Sequence, residues 1–137
     1  MIFSAEFDVR FGEIDHARVV YYPRFFHYFH QTFEEWFGRA LGVPYADVVS
    51  KGHLGYPTVR VETEFLKPLS YGERIRVDLE LREIGNASIT VGYTITRLSD
   101  GAVSARAVIK NVSIDDNFEP APITDEWRER FERFRKG

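Results

Sequence analysis

The chain has 137 residues, a formal net charge of −3 and no cysteine. That length predicts one domain spanning 1–137, large enough to bury roughly two-thirds of its unfolded surface without staples. The missing thiols exclude disulfides, thiolate zinc sites and a cysteine nucleophile, and the mildly acidic balance weighs against nucleic acid as a partner. No basic segment leads into an apolar run at the N-terminus, and no stretch approaches the ~20 apolar residues of a membrane span. A cytoplasmic protein without a membrane partner is the expectation.

In chain order, residues 3–11 alternate, with Phe3, Ala5, Phe7, Val9 and Phe11 on one side and Ser4, Glu6, Asp8 and Arg10 on the other. That pattern predicts a half-buried strand. Residues 23–41 read as a helix, opened by Pro23 at a position where its missing N–H costs nothing and closed by Gly42. Phe25, Phe26, Phe29, Phe33, Trp36, Phe37 and Ala40 share one broad face of it, so something large and apolar must wrap this helix. Residues 43–57 form an irregular connection with a short helix around Tyr45 to Ser50 and a Gly52…Gly55…Pro57 run.

Four more alternating runs follow: Val59 to Phe65, Ile75 to Arg82, Ile89 to Thr96, and 102–114. Turn-like segments join them at Lys67–Gly72, Gly85-Asn86 and Ser99-Asp100-Gly101, the last a hairpin signal. Alternation of this kind implies an antiparallel meander with one covered face. A last helix starts near Thr124, with Trp127, Phe131 and Phe134 as its apolar stripe. The reading is α+β: a curled antiparallel sheet wrapped around a long central helix. Such a sheet leaves an edge, and pairing edges across a two-fold axis predicts a homo-oligomer of at least two copies.

Asp15 is the chemical centre of this reading. It sits in a short loop between the first strand and the helix that begins at Pro23. A helix N-terminus offers free N–H groups and partial positive charge, which suit a developing oxyanion. A carboxylate beside it offers a nucleophile or general base. The pair points to acyl chemistry.

The segment Phe11-Gly12-Glu13-Ile14-Asp15 with Val19-Val20-Tyr21-Tyr22-Pro23-Arg24-Phe25-Phe26 resembles the signature of the 4-hydroxybenzoyl-CoA thioesterase family. The resemblance continues more weakly through Gly55-Tyr56-Pro57, Glu64-Phe65 and Ser88-Ile89. It implies the hotdog fold and an acyl-CoA thioesterase that hydrolyses acyl-CoA to a free acid and CoA with no cofactor. Asp15 then falls on the catalytic aspartate, and Tyr22 on the residue whose main-chain N–H polarises the thioester carbonyl. Gly85, Asn86, Ala87 and Ser88 fall where the pantetheine arm runs, and Pro57 where a loop lines the acyl site of a neighbouring subunit. A dimer, and a dimer of dimers, is the implied assembly. The chain departs from the family pattern at His16-Ala17-Arg18, where Arg18 replaces a usual Gly. That substitution bears on the turn geometry and on the pocket mouth. Relatives active on short acyl chains often carry His where this chain has Tyr22.

Other readings compete. Asp15 also fits an ordinary loop aspartate bonding its own backbone. His27, His30 and Glu34 have metal-like helical spacing but lack a third histidine nearby, so no metal is expected. Glu34 is an alternative carboxylate on the central helix. Arg82, Arg97, Arg106 and Lys110 are candidates for the CoA phosphates. A hydro-lyase acting on acyl thioesters and a non-catalytic acyl-CoA-binding module are the alternative functions of the same fold.

Overall fold

A computed structural model describes residues 1–50 and 55–137; Gly52, named in the irregular connection, lies outside them. The elements are β1 (Ile2–Asp8), a 3-10 turn at Phe11–Glu13, α1 (Pro23–Trp36) continued by a wider π-type turn at Phe37–Leu41, α2 (Tyr45–Ser50), β2 (Thr58–Phe65), β3 (Arg74–Ile84), β4 (Ser88–Arg97), β5 (Val103–Val112) and α3 (Asp125–Lys136). The five strands form one antiparallel sheet in the order β1-β3-β4-β5-β2.

The aromatic face of α1 sets this arrangement. Tyr28, Phe29, Phe33, Trp36 and Phe37 are each at most 1% exposed. Their burial is worth about 1.5–3 kcal/mol apiece. The Phe29 ring meets Tyr93 of β4 at 5.2 Å, Tyr28 meets Phe7 of β1 at 6.1 Å, and Phe25 meets Phe65 of β2 at 5.1 Å. One helix of ~10 Å diameter therefore touches both edge strands of a sheet whose edges, laid flat, would stand ~19 Å apart. Only a curled sheet permits that. Beyond the last turn, α3 stacks Phe131 on Trp36 at 5.8 Å and closes the C-terminal end of the helix. There Gly42 adopts the left-handed φ of 87° expected of a helix stop, and Arg130 donates to the Leu41 carbonyl at 2.6 Å. A cation is favourable at that end of the helix dipole.

Three features differ from the sequence reading. The first strand ends at Asp8, because Arg10 and Glu13 bond each other in a tight turn that throws Phe11 outward, 71% exposed. Phe26 lies at the exposed margin of α1, and Ala40 is exposed on the π-type turn that continues it, rather than in the core. Most consequentially, β2 is not the start of the meander. It pairs with β5 at the far edge, because β1 already occupies the free side of β3. The connection from β2 crosses the end of the sheet, where the N–H groups of Leu66 and Lys67 both donate to the Ser104 carbonyl and Leu69 is fully buried. Val59, Val61 and Phe65, read as inward-facing, are consequently 59%, 41% and 47% exposed along an unpaired strand edge.

Trp36 is fully buried and its indole N–H has no hydrogen-bond partner among the described residues. Trp36→Ala should lower unfolding free energy by about 3–5 kcal/mol in urea titrations, while Trp36→Phe, which also removes the orphaned donor, should lower it by markedly less.

Candidate active site

The loop between β1 and α1 is a small hairpin. Ile14 bridges Val20, the Asp15 N–H donates to the Val19 carbonyl at 2.9 Å, and the Arg18 N–H donates back to the Asp15 carbonyl at 2.9 Å. Arg18 closes this turn with φ at 69°. A left-handed conformation costs a non-glycine residue roughly 1–2 kcal/mol, so a turn suited to glycine persists with an arginine in it. The Asp15 carboxylate is exposed. Its Oδ1 accepts from the Ala17 N–H at 2.8 Å, which fixes the side chain across the turn, and its Oδ2 has no partner among the described residues. The local Asx bond anticipated as the ordinary reading is thus real, and it leaves one carboxylate oxygen free.

Pro23 begins α1 and has no N–H to give. The Arg24 and Phe25 N–H groups are taken by the carbonyls of Tyr21 and Tyr22, at 2.8 and 3.1 Å. The Tyr21 N–H is taken by the Glu13 carbonyl at 2.9 Å. That leaves the Tyr22 N–H without an acceptor among the described residues, at the positive end of the helix. The Tyr22 ring is 59% exposed and packs edge-on against Phe65 at 6.2 Å. Val20, Tyr22, Phe25, Phe65, Leu66, Lys67 and Pro68 line an open groove of about 270 Å³ at this helix end.

Two braces hold the loop. The Val20 N–H donates to the Leu69 carbonyl at 2.8 Å and Val19 bridges Ser70, tying the loop to the crossing connection. Glu13 Oε1 accepts from the Arg10 N–H at 2.8 Å and from the Tyr28 hydroxyl at 2.7 Å. Burial, reinforced by Glu13, pushes the Tyr28 phenol far above its ordinary pKa, so it stays protonated and keeps donating.

A family model described as the thioesterase-like superfamily matches residues 9–131. The chain belongs to that superfamily. It is 31% identical over 134 residues, 89% of this chain and 86% of the relative, to the 1,4-dihydroxy-2-naphthoyl-CoA hydrolase of Synechococcus sp. (strain CC9311). Among solved structures it superposes on a 1,4-dihydroxy-2-naphthoyl-CoA thioesterase from Synechocystis with a TM-score of 0.87 at 24% identity, covering 96% of both chains. It also superposes on an aspartate-to-asparagine mutant of 4-hydroxybenzoyl CoA thioesterase complexed with 4-hydroxybenzoyl CoA, with a TM-score of 0.84 at 19% identity, covering 94% of this chain and 97% of that one. The hotdog fold expected from the sequence is therefore the fold of this thioesterase.

Within one copy of this thioesterase the expected site residues fall into two groups. Asp15 and Tyr22 share the sheet end where β3 begins and β2 finishes. Pro57 and the Gly85–Ser88 turn lie at the other end, where the Val112 N–H donates to Pro57 and the Ser113 N–H to Ala87. β3 separates the two ends by its eleven residues, about 35 Å. The turn carbonyls are already used: Arg128 donates to Gly85 and Asn86 at 2.9 and 3.1 Å, and the Ile123 N–H donates to Asn86 at 2.9 Å. Of the basic candidates, Arg97 is bound to Asp100 and the Pro68 carbonyl, and Arg82 to Glu80. Arg106 and Lys110 have no ion-pair partner among the described residues. His30 Nε2 lies 3.5 Å from Glu34 Oε2 on the exposed flank of α1. No helix of the described residues is long and apolar enough to cross a membrane.

Glu13 and Phe65 escaped the sequence reading. Glu13 acts on Tyr28, fifteen positions away, and only its spacing of three from Arg10 hints at a turn-closing role. Glu13→Ala should remove both of its bonds, costing about 1–3 kcal/mol in unfolding free energy and lowering turnover by loosening the loop, as read by calorimetry alongside an acyl-CoA assay.

Proposed function

We propose that this acyl-CoA thioesterase cleaves its substrate between Asp15 and the Tyr22 amide. The observation that carries the reading is the Tyr22 N–H at the start of α1, without an acceptor among the described residues, next to the short hairpin that carries a carboxylate oxygen without a partner there. In the first step Asp15 Oδ2 either adds to the thioester carbonyl carbon or takes a proton from the water that does. The carbonyl oxygen becomes an oxyanion held by the Tyr22 N–H and the helix dipole, a contribution of about 3 kcal/mol for one such donor. The C–S bond then breaks and CoA leaves as a thiolate, a good enough leaving group to need no strong general acid. Where Asp15 itself attacked, water hydrolyses the resulting mixed anhydride.

The names of the Synechococcus relative and of the superposed structures support an aromatic acyl group. The aromatic walls around Tyr22, Phe25, Phe26 and Phe65 suit a flat ring.

A second copy completes the site in this reading. The open edge of β2 carries exposed Val59, Val61 and Phe65 and is free to pair. Antiparallel pairing about a two-fold axis sets the Thr58 end of one β2 against the Phe65 end of the other. Pro57 and the Gly85–Ser88 turn of one copy then approach Asp15 and Tyr22 of its partner.

Asp15→Asn should reduce kcat by at least about a hundredfold against a panel of acyl-CoA esters assayed by thiol release, with the fold unchanged by circular dichroism. The cysteine-free chain adds no background to that assay. Turnover unaffected by Asp15→Asn, or absent with every ester, would overturn the reading. Val59→Lys on the open edge should convert a dimer to monomer by light scattering and abolish turnover in parallel.

A further inference from the structure

Beneath β2 lies a second cavity, of about 290 Å³, lined by Phe26, His30, Phe33, Val61, Tyr93 and Ile109 among others. It adjoins the groove at the helix end, because the Phe65 ring stands between Tyr22 at 6.2 Å and Phe26 at 6.4 Å. Phe26 is one helical turn beyond Tyr22, about 6 Å along the axis, and Phe33 is about 10 Å further. An acyl group whose carbonyl sits at the Tyr22 N–H therefore points past Phe65 into this cavity. The volume is at the low end of small-molecule pockets, and the depth suits one or two rings.

Tyr93 contributes a hydroxyl to that lining. Tyr93 is 2% exposed, and its ring packs against the Phe29 ring at 5.2 Å. Its hydroxyl makes no hydrogen bond among the described residues. It is not among the polar atoms sealed off from solvent, and Tyr93 lines the chamber, so the hydroxyl is available to a group bound there. Asn111 in the same lining adds a second polar group. Its amide nitrogen donates to the Tyr56 carbonyl at 2.9 Å and to Thr58 Oγ1 at 3.1 Å, which fixes the amide orientation and leaves Oδ1 buried with no partner among the described residues. His30 at the rim lies beside Glu34, 3.5 Å away.

We infer that Tyr93 is a specificity-determining residue, whose hydroxyl meets an oxygen substituent on the ring of the acyl group bound beneath β2. This rests on the proposed active site at Asp15 and Tyr22. A hydroxyl on the ring satisfies Tyr93 as acceptor or donor, whereas a plain aliphatic chain or unsubstituted ring leaves it unpaired. The chamber thus reads a polar substituent at the end of the acyl group remote from the reacting carbonyl.

The test uses benzoyl-CoA and its 2-, 3- and 4-hydroxy derivatives with the wild type and Tyr93→Phe. In the wild type at least one hydroxylated ester should exceed benzoyl-CoA in kcat/KM by roughly tenfold, the worth of one net hydrogen bond. In Tyr93→Phe that ratio should fall to about one, with the melting temperature kept within a few degrees. The free benzoic and hydroxybenzoic acids give the same comparison without turnover, as differential thermal stabilisation that the variant loses. A wild type indifferent to the hydroxyl, or a preference that survives Tyr93→Phe, overturns the inference. Those outcomes leave the active-site reading standing, whereas failure to hydrolyse any ester while Tyr93 still discriminates the free acids would overturn only the latter.

Discussion

The wrapping of α1 is the constraint on which the other features depend. A helix with Tyr28, Phe29, Phe33, Trp36 and Phe37 buried cannot be covered by a flat sheet on one side. The sheet must curl until both edge strands reach the helix, and its strand order follows from who can reach. β1 fills the place beside β3, so β2 is pushed to the far edge beside β5. The connection that follows β2 must then cross the end of the sheet. It crosses beside the N-terminus of α1, and there Leu69 and Ser70 become the brace for the hairpin that carries Asp15. The curl that buries the aromatic face thus also assembles the candidate site.

The site itself is made with little material. Proline at the first helical position removes one donor, the neighbouring carbonyls consume others, and the Tyr22 amide is what remains. The turn before it is tight enough to need a left-handed residue and tolerates arginine there. Both features are main-chain geometry, and they carry the Asp15 carboxylate. Other side chains act as supports, with Glu13 holding the loop to Tyr28 and Ser104 holding the crossing segment through its hydroxyl and carbonyl.

One copy presents an unfinished surface. Phe65, Leu66, Val59, Val61, Tyr22 and Phe26 are exposed around the β2 edge and the helix end, while Pro57 and the Gly85–Ser88 turn sit at the opposite end of the sheet. A lone domain rarely leaves a long apolar edge of this kind unpaired. The proposed two-fold pairing accounts for the exposed edge and for the separation of the two groups of residues with one contact.

What the sequence by itself determined was local and periodic. The strands declared themselves by alternation, the helix by Pro23, its aromatic stripe and Gly42, and the last helix by Thr124, whose side chain accepts from the Trp127 N–H. The motif around Asp15 and Tyr22 was legible because both residues lie within one short segment. The edge position of β2 was not legible, since Val59, Val61 and Phe65 alternate whether a core or a partner covers them. Nor were Glu13 with Tyr28, Phe65 with Tyr22, or Tyr93 beneath β2. Each of these depends on residues far apart in the chain meeting across a curled sheet. Periodicity reports which face of an element is apolar; only tertiary packing decides what meets it, and which polar groups are left without a partner.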